Sequence, residues 1–135
     1  MTTTTVLICG TRTAKAMHIY QAMAAFCVEY RILPDQITEE VSGRAKGADT
    51  WGEMWATRLN IPIKPFDADW DLHGKAAGII RNQEMLEYLL SVQTDEHKVY
   101  VVAVWDGVSR GTQDMMTRSQ KAGVPVYVHT YRQHT

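Results

Sequence analysis

The chain is poor in cysteine, has no long apolar run and carries no excess of charge, and each shortage closes off a class of proteins. Cys9 and Cys27 are the two thiols in 135 residues. Neither stands in a metal-ligand or redox spacing, which points to buried thiols in a reducing compartment rather than a disulfide scaffold or a zinc module. No stretch approaches the roughly 20 apolar residues needed to cross a bilayer. The opening Met1-Thr-Thr-Thr-Thr5 has no basic segment or long apolar core, which argues against a secretory leader and for the cytoplasm. Fourteen Lys and Arg against fifteen Asp and Glu leave a net charge of −1, so no basic footprint marks nucleic acid or a membrane surface as the partner. No proline-rich linker, low-complexity tract or internal repeat divides the chain. A hydrophobic content of 45% with four tryptophans indicates a folded chain with one domain over residues 1–135.

What is present is a rhythm. Apolar runs of strand length lie at about residues 5–9, 37–41, 61–66, 98–105 and 124–129, with helical spacing between them at about 14–31, 47–59, 75–91 and 111–122. The first helix is expected to turn Met17, Tyr20, Ala24, Cys27 and Val28 inward. The second is expected to turn in Ala48, Trp51, Trp55, Ala56 and Leu59, and the third Ile79, Leu86, Leu89 and Leu90. Met115, Met116 and Ser119 do so in the fourth, with Gly123 as its stop. Strands alternating with helices at this pitch predict an α/β fold, a parallel sheet covered on both faces. Right-handed crossovers then favour a Rossmann-like doubly wound sheet of about five strands in the order 3-2-1-4-5. Its ligand crevice lies beyond the carboxyl ends of the strands, where the winding reverses.

Three strand ends carry the same chemistry. Val6-Leu-Ile-Cys9 runs into Gly10-Thr11-Arg12, and Val41 into Ser42-Gly43-Arg44-Ala45-Lys46-Gly47-Ala48-Asp49. Val99–Trp105 runs into Asp106-Gly107-Val-Ser109-Arg-Gly111-Thr112. A strand, a Gly-rich turn and a helix start aim backbone N–H groups at an anion, and each turn adds an Arg or Lys. Gly10 permits close backbone approach, Thr11 and Ser109 offer hydroxyls, and Arg12 suits bidentate pairing with phosphate. Asp49 reads equally as a ribose contact or a helix cap. Trp70 packs over the site, and Lys75 at a helix start is a further phosphate contact. Arg81 and Asn82 complete the candidate ligand contacts. The intervening Asp67-Ala-Asp69-Trp-Asp71-Leu-His73 fails as a calcium loop, having Leu72 where Gly is needed and Gly78 where a bidentate Glu is needed. No metal ligands are assigned and no cofactor is required, but the cluster leaves room for a divalent ion accompanying a phosphorylated ligand. Gly107-x-Ser109-x-Gly111 also matches a nucleophile elbow, yet Asp114 stands too near Ser109 to be its orienting acid, so a serine esterase ranks third. His18, His97 and His134 read as surface residues, and His129 ends the last strand.

Gly10-Thr11-Arg12, Gly43–Asp49, Asp69-Trp70 with Gly74-Lys-Ala-Ala-Gly78, Arg81-Asn82-Gln-Glu-Met85 and Trp105–Thr112 occur in that order. In this the chain resembles the YspA-type branch of the SLOG superfamily, Rossmann-like proteins that include DprA and the LOG phosphoribohydrolases. The likeness runs from about residue 5 to about residue 128, with Thr11 where the branch usually has Ser, Arg44 where it has a second Gly, and Lys46 where it has Arg. The resemblance implies a nucleotide or nucleotide-derived ligand, bound by a sensing or binding protein that forms a homodimer or higher homo-oligomer. The alternative it implies is a LOG-type nucleoside-monophosphate N-glycosidase, with Arg81 and Asp114 as catalytic residues. Asp114 would then supply the carboxylate that stabilises oxocarbenium charge and orients water, from a side chain one methylene shorter than the usual Glu.

Overall fold

The computed structural model describes residues 2–132. Its strands are β1 (Thr3–Gly10), β2 (Ile37–Ser42), β3 (Ile63–Pro65), β4 (His97–Trp105) and β5 (Val126–Thr130). They pair in parallel in the order β3-β2-β1-β4-β5, the expected 3-2-1-4-5. The helices are α1 (Ala16–Tyr30), α2 (Ala48–Arg58), the single turn α3 (Trp70–His73), α4 (Ala77–Val92) and α5 (Arg110–Lys121).

Side chains alternate across a strand, so β1 serves two cores at once. Val6 and Ile8 join Ile19, Met23 and Phe26 of α1 and Trp55 and Ala56 of α2. Leu7 and Cys9 face the opposite way, onto Met85, Leu86 and Leu89 of α4 and Met115 and Met116 of α5. Helices on both faces leave β1 and β4 without a wet side, which is why both strands read as unbroken apolar runs rather than alternating ones. None of the helices among the described residues is long and apolar enough to cross a membrane.

The strand positions hold, but two boundaries and several helix faces differ from expectation. β1 begins at Thr3 because its ladder with β4 continues to His97. That histidine is half-buried, and its ring nitrogens bond the hydroxyls of Thr3 and Thr5 at 2.6 and 2.7 Å. β3 is cut to the three residues Ile63–Pro65, with Pro62 before it and Pro65 at its end, neither of which has an N–H to give the ladder. In α1 the buried stripe is Ile19, Ala22, Met23 and Phe26, while Met17 and Val28 are 58% and 79% exposed. The helix is apolar nearly all round, so periodicity alone does not choose its inner face. Trp51 and Leu59 of α2, and Ile79 and Leu90 of α4, likewise face outward. In α5 Met115, Met116 and Ser119 are buried as expected, and Gly123 follows the helix at φ 81°. His134 lies outside the described residues.

Gly10 shows how tightly the strand ends are joined. A Cβ there would sit 2.1 Å from the Val104 carbonyl oxygen and 2.8 Å from the Ala48 Cβ. Backbone atoms in the centre of a sheet cannot yield to such a contact. Gly10→Ala should therefore destabilise the fold by about 3 kcal/mol. Urea denaturation reads this directly, and an unchanged midpoint would contradict the close packing.

Candidate functional site

The loops after β1, β2 and β4 meet at the carboxyl edge, and Thr11 joins them. Its N–H donates to the Val104 carbonyl at 3.0 Å, and its hydroxyl accepts the Asp106 N–H at 3.0 Å. Its carbonyl accepts the Ala48 N–H that opens α2, at 3.1 Å. The close approach depends on Gly47, at φ 79°, where a Cβ would fall 2.2 Å from the Arg12 carbonyl oxygen.

This joining uses up many of the amides expected to cradle an anion. The Arg44 N–H bonds Ser42 Oγ and the Ala45 N–H bonds Asp49 Oδ2, at 3.2 and 3.0 Å. The Val108 and Ser109 N–H groups both bond Asp106 Oδ1 at 2.9 Å, which holds the Asp106 carboxyl below its usual range. Ser109 Oγ caps α5 through the Thr112 N–H and meets the Thr112 hydroxyl at 3.1 Å. Among the described residues no histidine comes within hydrogen-bond distance of it. Asp106 and Gly107 therefore shape the turn, with Gly107 at φ 86°. At the start of α5 the Arg110 and Gly111 amides find no acceptor among the described residues, as expected at a helix N-terminus.

Two adjoining clefts open at this edge. The first, about 410 Å³, is lined by Arg12, Arg44, Lys46 and Arg81 together with Asp67 and Trp70. Four cations thus face a single carboxylate. Arg81 reaches across from α4 and donates to the Gly43 carbonyl at 2.6 Å. The Arg44 guanidinium bridges Glu53 at 3.2 Å and Asp67 at 3.8 Å, while Ser42 Oγ donates to the other Glu53 oxygen at 2.6 Å. Arg12 and Lys46 form no ion pair among the described residues. The second cleft, about 300 Å³, has Cys9, Met85 and Met115 against Asp49 and Asn82, with Ser109, Gly111 and Thr112 at its rim. Arg12 and Ala45 line both clefts, so the two adjoin.

Of the remaining candidates, Lys75 is exposed on the turn before α4 and lines neither cleft. Asp114 lines neither cleft as well. Its oxygens accept Arg118 Nη2 and Nε at 2.8 and 3.0 Å, and Asn82 Nδ2 donates to it at 3.0 Å. Burial raises its pKa, but the bonds from Arg118 and Asn82 outweigh this and hold the carboxyl below its usual range. Arg118 also donates to Gln83 at 2.7 Å, so the group clamps α5 to α4. The i,i+4 spacing of Asp114 and Arg118 is a signal in the sequence for this pair. Nothing in the sequence singles out Glu53, which braces Arg44 together with Ser42.

Beneath the cations lies a buried acidic layer. Burial pushes the Asp49 carboxyl up to about 6, with Glu53 adding to the rise and the Ala45 N–H and Arg81 opposing it. Glu40 is fully buried, neither of its carboxyl oxygens makes a hydrogen bond of acceptable geometry, and Ile8 relieves it only in part. Its pKa is raised well above 4.5 by burial and then by Asp49 and Glu53. A raised folded-state pKa contributes stability that is complete below the unfolded value and is lost as pH rises through the folded value. Glu40→Gln should accordingly gain on the order of 2 kcal/mol over the native chain at pH 8. The gap should close as pH falls toward about 4, the unfolded carboxyl range. Urea midpoints across that window check it, and a gap that does not vary with pH would exclude a raised Glu40 pKa.

No family model matches the chain. It is similar to a protein of Mycobacterium phage D29 described as "Gene 61 protein", with 37% identity over 91 residues. The match takes in 64% of this chain, and the chain spans 66% of the length of the phage protein.

Proposed function

We propose that this chain is a SLOG-type module that binds a nucleotide or nucleotide-derived small molecule at the carboxyl edge of its sheet, as a binding or sensing protein. The observation that carries the reading is the pairing of two unlike clefts. A cleft with Arg12, Arg44, Lys46 and Arg81 suits phosphate, for which guanidinium groups give charge-assisted and bidentate bonds. The adjoining cleft offers a carboxyl, an amide, two hydroxyls and thioether surface, which suit an uncharged sugar and base. A ligand with one anionic end and one polar, partly aromatic end matches both.

Glycosidic cleavage is the weaker reading. It needs a carboxylate beside the anomeric carbon, and the Asp114 carboxylate is held by Arg118 outside both clefts. Binding requires no such group.

Native mass spectrometry of the freshly purified full chain should show a bound nucleotide mass, and should report the expected homo-oligomer in the same spectrum. Calorimetry with a nucleotide panel should show Arg12→Ala lowering affinity at least tenfold, about one charge-assisted contact. Chromatography of the same mixtures should find no released base. Failure of every nucleotide to bind, or unaltered affinity in Arg12→Ala, would reject the proposal. Base release that Asp114→Asn abolishes would favour the glycosidase.

A further inference from the structure

We infer that the anionic end of the ligand is a diphosphate or longer chain, and that Arg44 is the residue that distinguishes it from a monophosphate. The inference rests on the nucleotide reading and names the substrate class within it. Four cationic side chains line one cleft whose lining holds one carboxylate, Asp67, with Glu53 behind Arg44 and Asp49 behind Arg81. One phosphate pairs with one or two of them and leaves the others repelling each other; a second phosphate relieves that repulsion.

Arg44 is the cation with a contact to exchange. Its Nη1 is anchored on Glu53, itself bonded to Ser42, so the guanidinium is held in place. Its Nε faces Asp67 across 3.8 Å, and that carboxylate is 81% exposed. A long pair with so exposed a partner is weak, and a phosphate entering the cleft can take the place of Asp67.

The backbone supports the same assignment. Arg44 sits at φ 63°, a left-handed conformation that costs a non-glycine residue stability. Its side chain is half-exposed and belongs to neither core cluster. Glycine would satisfy that conformation without strain, and what arginine adds over glycine is a guanidinium at the cleft. The three-loop junction through Thr11 does not involve this side chain, so replacing it leaves the site's framework standing.

Calorimetry of the full chain with orthophosphate and pyrophosphate, and with AMP and ADP, tests the idea. Pyrophosphate should bind about tenfold tighter than orthophosphate, and ADP tighter than AMP by a similar factor, one added charge-assisted contact. Arg44→Gly should keep or raise thermal stability and collapse both ratios to within about twofold, while Asp67→Asn should widen them. Equal affinities in the native chain, or a preference that survives in Arg44→Gly, would overturn the inference. Binding of AMP and ADP with equal affinity defeats it while sparing the nucleotide reading. A pyrophosphate preference with no nucleotide bound defeats the nucleotide reading and leaves the role of Arg44 intact.

Discussion

The hydrogen bonds of Thr11 are the constraint on which the carboxyl edge depends. One residue gives its N–H to β4, its hydroxyl to the turn after β4, and its carbonyl to the first amide of α2. It is almost fully buried, so these bonds lie where an unmade one is costly. The loops are therefore held at one place, and the side chains they carry share one crevice. Arg12 stands directly beyond this junction, which explains why it lines both clefts. The hydroxyl at position 11 serves the framework by accepting the Asp106 N–H, and a residue without one would remove that bond at the end of β4.

The fold was legible in the chain because parallel strands buried on both faces leave a strong trace: runs such as Val6–Cys9 and Val99–Trp105 have no polar face to blur them. Helix faces were less legible. Met17 and Val28 of α1 are as apolar and as well spaced as Ile19 and Phe26, and only the tertiary arrangement decides between them. At the site, the positions of Arg12, Arg44 and Lys46 followed from topology, since a doubly wound sheet brings the ends of β1, β2 and β4 together, whereas Arg81 and Asn82, on α4, were expected from the resemblance alone. The use made of the polar groups did not. Ser109 and Asp106 carry the side chains that cap a helix start equally well, and capping is where the structure puts them. Short-range bonds of this kind compete with ligand binding for the same donors, and sequence spacing is the same for both uses.

The electrostatics of the edge are layered. Glu40, Asp49 and Glu53 lie on β2 and α2 beneath the loop that carries Arg44 and Lys46. Glu53 fixes Arg44 through a direct bond, and the field of Arg81 opposes the rise in the Asp49 pKa. Gly43 lies between these last two: a Cβ there would meet Asp49 Oδ2 at 3.0 Å and Arg81 Cδ at 3.1 Å. The absence of a side chain at this point lets a cation from α4 approach a carboxyl from α2 across the sheet edge. The bond from Glu53 orients Arg44 while leaving the outer surface of its guanidinium to solvent.

The unlikeness of the two clefts follows from the winding itself. From β1 the chain passes to α1 and α2 on one face, and around β4 it passes through α4 and α5 on the other. The crevice between has walls of different origin. One is the loop into α2, short, polar and built around Gly43 and Gly47, so it presents backbone and long charged side chains. The other is formed by the N-terminal halves of α4 and α5, whose inner faces already carry the core residues Met85 and Met115. A wall that continues the hydrophobic core is apolar at its base, and a wall made of loop has no core behind it. The topology that sets the strand order therefore places charge on one side of this edge and thioether and hydroxyl surface on the other.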